Sequence, residues 1–465
     1  MIKLTNTLSG EKEIFKPIHQ GKVGMYNCGP TVYDYPHIGH ARKYTFDDIV
    51  RRMFEFNGYV VNQVMNITDV GHLVSDGDEG EDKIEKGAKR ENKTAQEITK
   101  HFAEAFFDDL RALNIKSELD KDEEAKTPWA THHITEQINL IKILEEKGYT
   151  YNTSDGVYYD TSKFADYGKL GNIDIAGLKE GARVEVNQEK RNITDFALWK
   201  FSNPQEQRQQ EWPSPWGVGF PGWHIECSAM SLRYLGETFD VHTGGIDHIP
   251  VHHNNEIAQS EAATGHKFVN YWIHENFLNI ENTKISKSLG NGFRIKDLIE
   301  RGINPLAYRY WLLTAHYSTQ VNFTWDAVEA AQTAYTRLIE AIAELGNDVG
   351  SIDKKYLDHF TEYINDDLDT PKAVALMWDL VKDQSVHATI KKSTLLEFDR
   401  VLGLKLDSAT QVEIPAEVDL IVQEREKARQ NKDFRKSDEL RDKIASLGFE
   451  VKDTPHGTKV HPLRT

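Results

Sequence analysis

The segment from Tyr26 to Arg42, which reads YNCGPTVYDYPHIGHAR, constrains the fold more strongly than any other stretch of the chain. It places Cys28 at the end of a β-like run, then a Gly-Pro turn, then a helix that apolar residues at helical spacing continue through positions 46–54. Pro36 suits a helix start, where a missing N–H does no harm, and Gly39 lets a ligand approach the backbone closely. The segment therefore predicts a strand–turn–helix unit with polar chemistry at its turn.

Runs of β-forming residues on both sides of this helix predict the type of sheet. Residues 22–28 and 59–67 flank a predicted helix over 37–57, which Gly58 ends. A strand–helix–strand unit favours a parallel sheet covered by helices. We therefore predict an α/β fold.

Weaker patterns predict the elements that follow. Residues 127–200 interrupt the alternation of strands and helices and are interpreted as an insertion. The other interpretations are a Gly- and acid-rich loop over 71–90, a helix over 130–147, a hairpin over 149–159, a strand over 269–280, one helix over 418–447 and a strand pair over 448–460.

Composition limits the class of protein. The chain has 465 residues, a net charge of −17 and 39% apolar residues, so it can build a real core over roughly two to four domains. The negative charge argues against a non-specific nucleic-acid binder but does not exclude a partner bound by a local face. No apolar run reaches membrane-spanning length and the N-terminus has no signal-peptide pattern, so we expect a cytoplasmic protein without membrane contact.

His37 and His40 are the first candidate binding residues. They are three apart at a helix start, so their rings share one face beside unpaired N–H groups and the positive end of the helix dipole. This is a ready site for phosphate. An isolated HxxH is more often a surface histidine pair, and that alternative stays open on this motif alone.

Two cysteines and a polar cluster suggest a metal site. Cys227, His252 and Glu256, joined by Cys28, form a possible zinc set, and His252 and Glu256 are four apart on one helix face. His253 fits nearly as well, being three residues before Glu256. The alternative is that both cysteines are small buried apolar residues.

The loop KISKS, Lys284 to Ser288, supplies two lysines three apart with Gly290 and Gly292 behind them. Lys284 and Lys287 could neutralise a polyphosphate, although five such letters alone also describe a solvated charged turn.

HIGH at residues 37–40 and KISKS at 284–288 together resemble the two signatures of class I aminoacyl-tRNA synthetases. The motifs around them are similar to those of the cysteinyl-tRNA synthetase family: CGPTVYDYPHIGHAR, NITD, PSPWG, PGWHIECSAM, HHNNEIAQS, VNYW, KISKSLGN and the terminal RKSDELRDKIASLGFEVKDTPHGT. The resemblance runs nearly from end to end.

The resemblance implies a domain order. We expect a Rossmann-type parallel-sheet catalytic domain with an inserted connective domain, followed by an α-helical bundle and a small mixed C-terminal domain. The expected limits are 1–126 and 201–280 for the two catalytic halves, 127–200 for the insertion, 281–325 for the stem-contact region, 326–405 for the bundle and 416–465 for the anticodon-binding domain.

The resemblance also implies the chemistry. It implies ATP-dependent activation of L-cysteine to cysteinyl-adenylate and transfer to the 3′ end of tRNA(Cys), by a chain expected to be monomeric. Mg²⁺ is expected to accompany ATP, and one Zn²⁺ is expected to select the substrate thiolate.

The family's functional residues map onto this sequence one by one. The zinc ligands implied are Cys28, Cys227, His252 and Glu256. The nucleotide and catalytic residues implied are His37, Gly39, His40, Asp247, Lys284 and Lys287. The residues implied at the amino-acid pocket are Cys28, Thr68, Trp223 and His242.

Two departures and two alternatives accompany this interpretation. The segment before the histidine pair reads GIDHIPVHH, with an additional His248, which leaves the choice between His252 and His253 open. The acidic stretch that follows Asp69 is longer than in the commonest bacterial form of the family, and we assign no role to this stretch. The alternatives are a cysteine ligase acting on an amino-sugar, whose relatives usually lack a C-terminal anticodon module, and a non-catalytic zinc protein that binds RNA.

Overall fold

A computed structural model describes residues 1–70, 82–116, 126–174, 188–203, 205, 208–285, 291–409, 415–454 and 457–462. Its strands are β1 (Lys3–Asn6), β2 (Glu11–Ile14), β3 (Lys22–Asn27), β4 (Val60–Met65), β5 (Thr150–Asn152), β6 (Gly156–Tyr159), β7 (Phe196–Phe201), β8 (Gly219–Pro221), β9 (Phe239–Gly245), β10 (Val269–Glu275), β11 (Leu278–Ile280), β12 (Thr283–Lys284), β13 (Val321–Phe323), β14 (Phe449–Thr454) and β15 (Gly457–Pro462).

The helices are α1 (Ile38–Phe56), α2 (Lys83–Glu91), α3 (Ala95–Ala112), α4 (Ile134–Glu146), α5 (Trp223–Leu235), α6 (Asn254–Thr264), α7 (Ile295–Glu300), α8 (Pro305–Leu313), α9 (Trp325–Glu344), α10 (Lys354–Asn365), α11 (Thr370–Lys382), α12 (Ala388–Leu402), α13 (Ala416–Gln430) and α14 (Phe434–Ser446). Within the described ranges, none of these helices is both long and apolar enough to cross a membrane.

A four-stranded parallel sheet in the order β10–β9–β3–β4 carries the fold. It confirms the predicted parallel α/β arrangement, with α1 as the connection between β3 and β4. Strands β5–β8 form a separate antiparallel sheet, and β5–β6 is the predicted hairpin. The sheet extends past the stretch 127–200 interpreted as an insertion, because its last strand, β8, lies at residues 219–221. A third sheet, β12–β11–β13, leads into the KISKS segment.

Three sequence-based predictions were wrong in part. The loop predicted over 71–90 contains helix α2 from Lys83 onward, because Asp82 caps its first amides and Ile84 and Ala88 are buried. Residues 71–81 of that prediction lie outside the described residues. The predicted strand over 269–280 is two strands in two different sheets. The predicted helix over 418–447 is α13 and α14, separated by Lys432 at a φ of 59° and restarted by the Asp433 cap.

Charged residues inside the protein join α1 to helices α8 and α12. Arg309 on α8 is fully buried and lies 2.6 Å from Asp48 of α1, and Arg52 lies 2.7 Å from the same carboxylate oxygen. Arg309 also donates to the backbone oxygens of Leu402 and Leu113. Burial alone raises the pKa of Asp48, but the two guanidinium groups hold it below the ordinary value. Removal of any one of these three charged side chains would therefore leave a buried charge without a full set of partners.

We expect Arg309→Met to destabilise the protein by roughly 3–5 kcal/mol, because it leaves Asp48 with one buried charge partner fewer. The urea midpoint, followed by tryptophan fluorescence, measures the change. The exposed Arg435 supplies a control, since Arg435→Met should change stability by less than about 0.5 kcal/mol. A loss below about 1 kcal/mol for Arg309→Met would contradict the cluster's role.

The same pair predicts a pH dependence. Because the folded pKa of Asp48 is depressed, its contribution is present above the unfolded value of about 3.9 and is lost as pH falls through the folded pKa. The stability difference between wild type and Arg309→Met should therefore be constant from about pH 5 to 7 and shrink below about pH 4. A difference that grows on acidification would contradict this assignment.

Candidate active site and metal-ligand cluster

A cleft of about 650 Å³ opens at the carboxyl edge of the parallel sheet. It lies where β3 and β9 end and where α1 begins, because parallel strands place their carboxyl ends on one edge. Its wall includes most of the residues singled out in the sequence, namely Cys28, His37, Gly39, His40, Thr68, Trp223, Cys227, Asp247, His252 and Lys284. Lys287 lies outside the described residues.

His37 and His40 form the entrance to helix α1. The His37 Nδ1 atom accepts from the amides of Gly39 and His40, and the His40 Nδ1 atom accepts from the His37 amide. The two rings are stacked with centroids 3.7 Å apart. The helix cap thus holds both imidazoles as a rigid pair at the cleft, beside the positive end of the helix dipole.

Gly39 is required where α1 approaches the KISKS segment. A Cβ atom added at Gly39 would lie 2.9 Å from the His37 ring and 2.9 Å from Ile285. Lys284 follows on the same side, with its ammonium 5.4 Å from the Phe277 ring and on the cleft wall. The two signature motifs therefore meet across a gap that admits no side chain at Gly39.

The four residues chosen as metal ligands converge. Cys28, Cys227, His252 and Glu256 are all buried, and their donor atoms lie within 4.8 Å of one another. The His252 Nε2 atom is 2.9 Å from a Glu256 oxygen, as expected for residues four apart, and the Cys28 sulfur is 3.8 Å from that oxygen. Cys28 follows β3, Cys227 lies in α5, and the other two come from the turn before α6 and its first turn.

A second set shares two of these donors. Cys28, His242, His253 and Glu256 also lie within 4.8 Å of one another. The His253 Nε2 atom is 3.4 Å from the Cys28 sulfur, and the His242 Nε2 atom is 3.0 Å from Glu256. His242 was predicted at the amino-acid pocket; it is fully buried against Glu256 and is not among the described residues that line the cleft.

A second layer of histidines, which sequence reasoning missed, orients the first. His224 lies with its Nδ1 atom 2.8 Å from the Nδ1 atom of His252, and His274 contacts His253 at 2.7 Å. His274 is in turn 2.7 Å from the Thr7 hydroxyl. Such contacts turn the Nε2 side of each ring toward a metal. Their sequence signal was weak: one histidine directly before IEC and one at the end of a strand.

The electrostatics of the cluster fit a cation. The neighbouring Cys28 thiol and burial raise the pKa of Cys227, and burial raises that of Cys28. Burial opposes the charge on His252, but Glu256 raises the His252 pKa to about 10. Two thiols, an imidazole and a carboxylate enclosed together are a donor set that a divalent metal ion binds and that is unfavourable to ionise without one.

Thr68 and Trp223 lie beside the cluster. The Trp223 ring stacks on His252 with centroids 4.5 Å apart, and the Thr68 hydroxyl donates to Glu226 at 2.9 Å. Glu226 is completely buried, which raises its pKa, and sequence reasoning did not single it out. His248 also lines the cleft, where burial and the neighbouring His252 lower its pKa to about 4. On this side of the donors the wall is thus formed by an aromatic ring, a hydroxyl and an imidazole whose charged form is disfavoured.

Known proteins resemble this chain over nearly its whole length. Residues 14–333 match the family model described as tRNA synthetases class I (C) catalytic domain, and residues 411–460 match the cysteinyl-tRNA ligase anticodon binding domain. The chain is 49% identical to cysteine–tRNA ligase 1 of Burkholderia lata, over 99% of this chain and 96% of that protein. It is 42% identical to the cysteine–tRNA ligase of Treponema denticola, over 97% and 98% of the two chains.

Solved structures agree on the fold. Methionyl-tRNA synthetase of Mycobacterium tuberculosis, bound by methionyl-adenylate, aligns with a TM-score of 0.54 at 14% identity, over 86% of this chain and 94% of that one. The Agrobacterium radiobacter K84 agnB2 LeuRS aligns with a TM-score of 0.56 at 12% identity, over 85% of each chain. With the end-to-end relatives at 49% and 42% identity, these matches show that the chain belongs to the cysteine–tRNA ligase family of class I tRNA synthetases.

Proposed function

We propose that this protein is a cysteine–tRNA ligase, which activates L-cysteine with ATP and transfers it to tRNA(Cys). The observation that carries the proposal is the convergence of Cys28, Cys227, His252 and Glu256 on the same cleft as the HIGH histidines. Cysteine activation requires a site that binds the cysteine thiol and a site that binds the phosphates of ATP. The donor cluster and the entrance of α1 would supply these two sites side by side.

In the first step the cysteine carboxylate attacks the α-phosphorus of ATP and pyrophosphate leaves, with Mg²⁺ accompanying the nucleotide. Negative charge grows on the phosphate oxygens during this attack. We assign the stabilisation of that charge to the stacked His37 and His40 rings, which stand at the positive end of the α1 dipole, because the first amides of the helix are already bonded within the cap. Lys284 and Lys287 are assigned to the departing pyrophosphate, and Asp247 to the adenosine.

In the second step a hydroxyl of the terminal ribose of tRNA attacks the cysteinyl carbonyl, and AMP leaves. The C-terminal unit, α13–α14 with β14–β15, has its own small core and matches the anticodon-binding model. An amino-sugar acceptor would leave this unit without a role. The retained HIGH and KISKS motifs likewise argue against a non-catalytic RNA-binding protein.

Discrimination against serine is assigned to zinc held by Cys28, Cys227, His252 and Glu256. A pocket that reads shape alone separates such similar substrates by only about 1–3 kcal/mol. The bound ion supplies a soft Lewis acid that prefers a thiolate to a hydroxyl. Trp223 closes the side of this centre by stacking on His252, and Thr68, anchored on Glu226, borders the space left for the amino acid.

The overall proposal predicts two activities in one preparation. Purified protein should catalyse ATP–pyrophosphate exchange that depends on cysteine, and should charge tRNA(Cys) but not an amino-sugar. The first activity without tRNA charging would favour the amino-sugar ligase, and neither activity would favour the non-catalytic protein.

Removing a phosphate-binding histidine should slow adenylate formation. We expect His40→Ala to reduce ATP–pyrophosphate exchange by 100-fold or more, about the effect of losing one donor to a developing charge, and Lys287→Ala to act similarly. The exposed His266 supplies the matched control, since His266→Ala should retain full exchange. Exchange within about threefold of wild type in His40→Ala would reject its assignment.

The metal assignment predicts one zinc per chain and separates the two histidines. His252→Ala should reduce bound zinc much more than His253→Ala, because only His252 joins both cysteines and Glu256 in one donor set. Cys227→Ser should lower zinc content and abolish the preference for cysteine over serine. Metal analysis by mass spectrometry and exchange assays with both amino acids measure these effects. Wild-type protein without zinc would refute the assignment.

A further inference from the structure

We propose that Lys43 is a positioning residue for the metal-ligand cluster, and that it acts on Cys28 through a buried ion pair with Asp47. This inference rests on the proposed metal site. It assigns a function to a buried cation on α1 that the catalytic scheme above does not use.

The Lys43 side chain contacts the backbone of Cys28, one of the four residues of the metal-ligand cluster. Its ammonium donates to the carbonyl oxygen of Cys28 and lies 2.7 Å from a carboxylate oxygen of Asp47. The Lys43 side chain is only 10% exposed, and that of Asp47 only 1%. The ammonium therefore fixes the strand end from which the Cys28 sulfur projects.

Asp47 is held in place by the central strands. Its other oxygen accepts from the Thr243 hydroxyl of β9 at 2.6 Å. That hydroxyl accepts from Asn27 of β3, and the Asn27 amide oxygen accepts from Gln63 of β4 at 2.8 Å. A continuous polar chain thus crosses three strands and ends on Lys43, so the position of the ammonium is set by the sheet.

Stability alone gives no reason for this arrangement. Buried ion pairs can often be replaced by apolar residues with no loss of stability, because removing two charges from water opposes their attraction. Lys43 also lines the cleft, next to Cys28. The position of the Lys43–Asp47 pair is better explained by the metal-ligand cluster that it adjoins.

The charge of the donor set supplies that explanation. Two thiolates and a carboxylate around a dication leave one excess negative charge, and a substrate thiolate adds another. The Lys43–Asp47 pair presents its positive end to Cys28, while its negative end is engaged by Thr243 on the far side. The oriented pair thus favours the anionic cluster without adding a net charge to the core.

The test is Lys43→Met combined with Asp47→Asn in the full-length, zinc-loaded protein. Lys43→Met alone would leave a buried unpaired carboxylate and could unfold the protein, whereas the side-chain amide oxygen that Asp47→Asn introduces still accepts from Thr243. Arg51→Met combined with Glu55→Gln is the matched control, because that pair lies on the same helix at the same spacing and at 2.8 Å.

We expect the Lys43/Asp47 variant to keep its thermal midpoint within a few degrees of the control pair. Its zinc should transfer to a chromophoric chelator about tenfold faster or more, the usual scale for losing a contact behind a metal ligand. The KM for cysteine in pyrophosphate exchange should rise about tenfold, with the KM for ATP within about twofold of wild type.

Two results would overturn the inference. Zinc release and cysteine KM both unchanged would make the pair purely structural, and a higher cysteine KM with unchanged zinc release would mean that Lys43 touches the substrate instead of positioning Cys28. Zinc absent from wild type would overturn the proposed metal site itself, which is a separate failure.

Discussion

Ionic contacts on helix α1 hold the active-site edge of this protein together. Lys43 pairs with Asp47, and Arg52 and Arg309 pair with Asp48, all inside the protein. Buried charges are tolerated only when each has a partner in good geometry. These pairs add directional contacts to the apolar packing of α1 in the core. The helix entrance and the end of β3 are therefore held in a defined relation.

Parallel topology explains why distant residues share one cleft. Strands β3 and β9 are neighbours in the sheet although more than two hundred residues of chain separate them, and both end at the cleft. Cys28 follows one of them, and the turn that carries His252 follows the other. The cluster is completed by α5, which brings Cys227 from a third part of the chain. A donor set assembled in this way can form only when the catalytic sheet has folded.

Local patterns in the sequence predicted the elements that depend on local contacts. The helix over 37–57 was confirmed as α1, and the hairpin over 149–159 as β5–β6, since periodicity and turn residues act over a few positions. The errors came from signals that periodicity does not carry. Helix α2 begins because Asp82 caps it, and the break between α13 and α14 depends on one residue, Lys432, in a left-handed conformation.

The sequence by itself determined which residues are candidates for the chemistry: the HIGH histidines, the two cysteines and the HHNNE segment, since these are residue types and short spacings. Tertiary structure decided how they are arranged. It placed His242 against Glu256, and His224 and His274 against His252 and His253. It also placed the Lys43 ammonium on the carbonyl oxygen of Cys28. The physical reason is that spacing along a helix reaches only about four residues, whereas these contacts join strands and helices that meet only when the parallel sheet is complete.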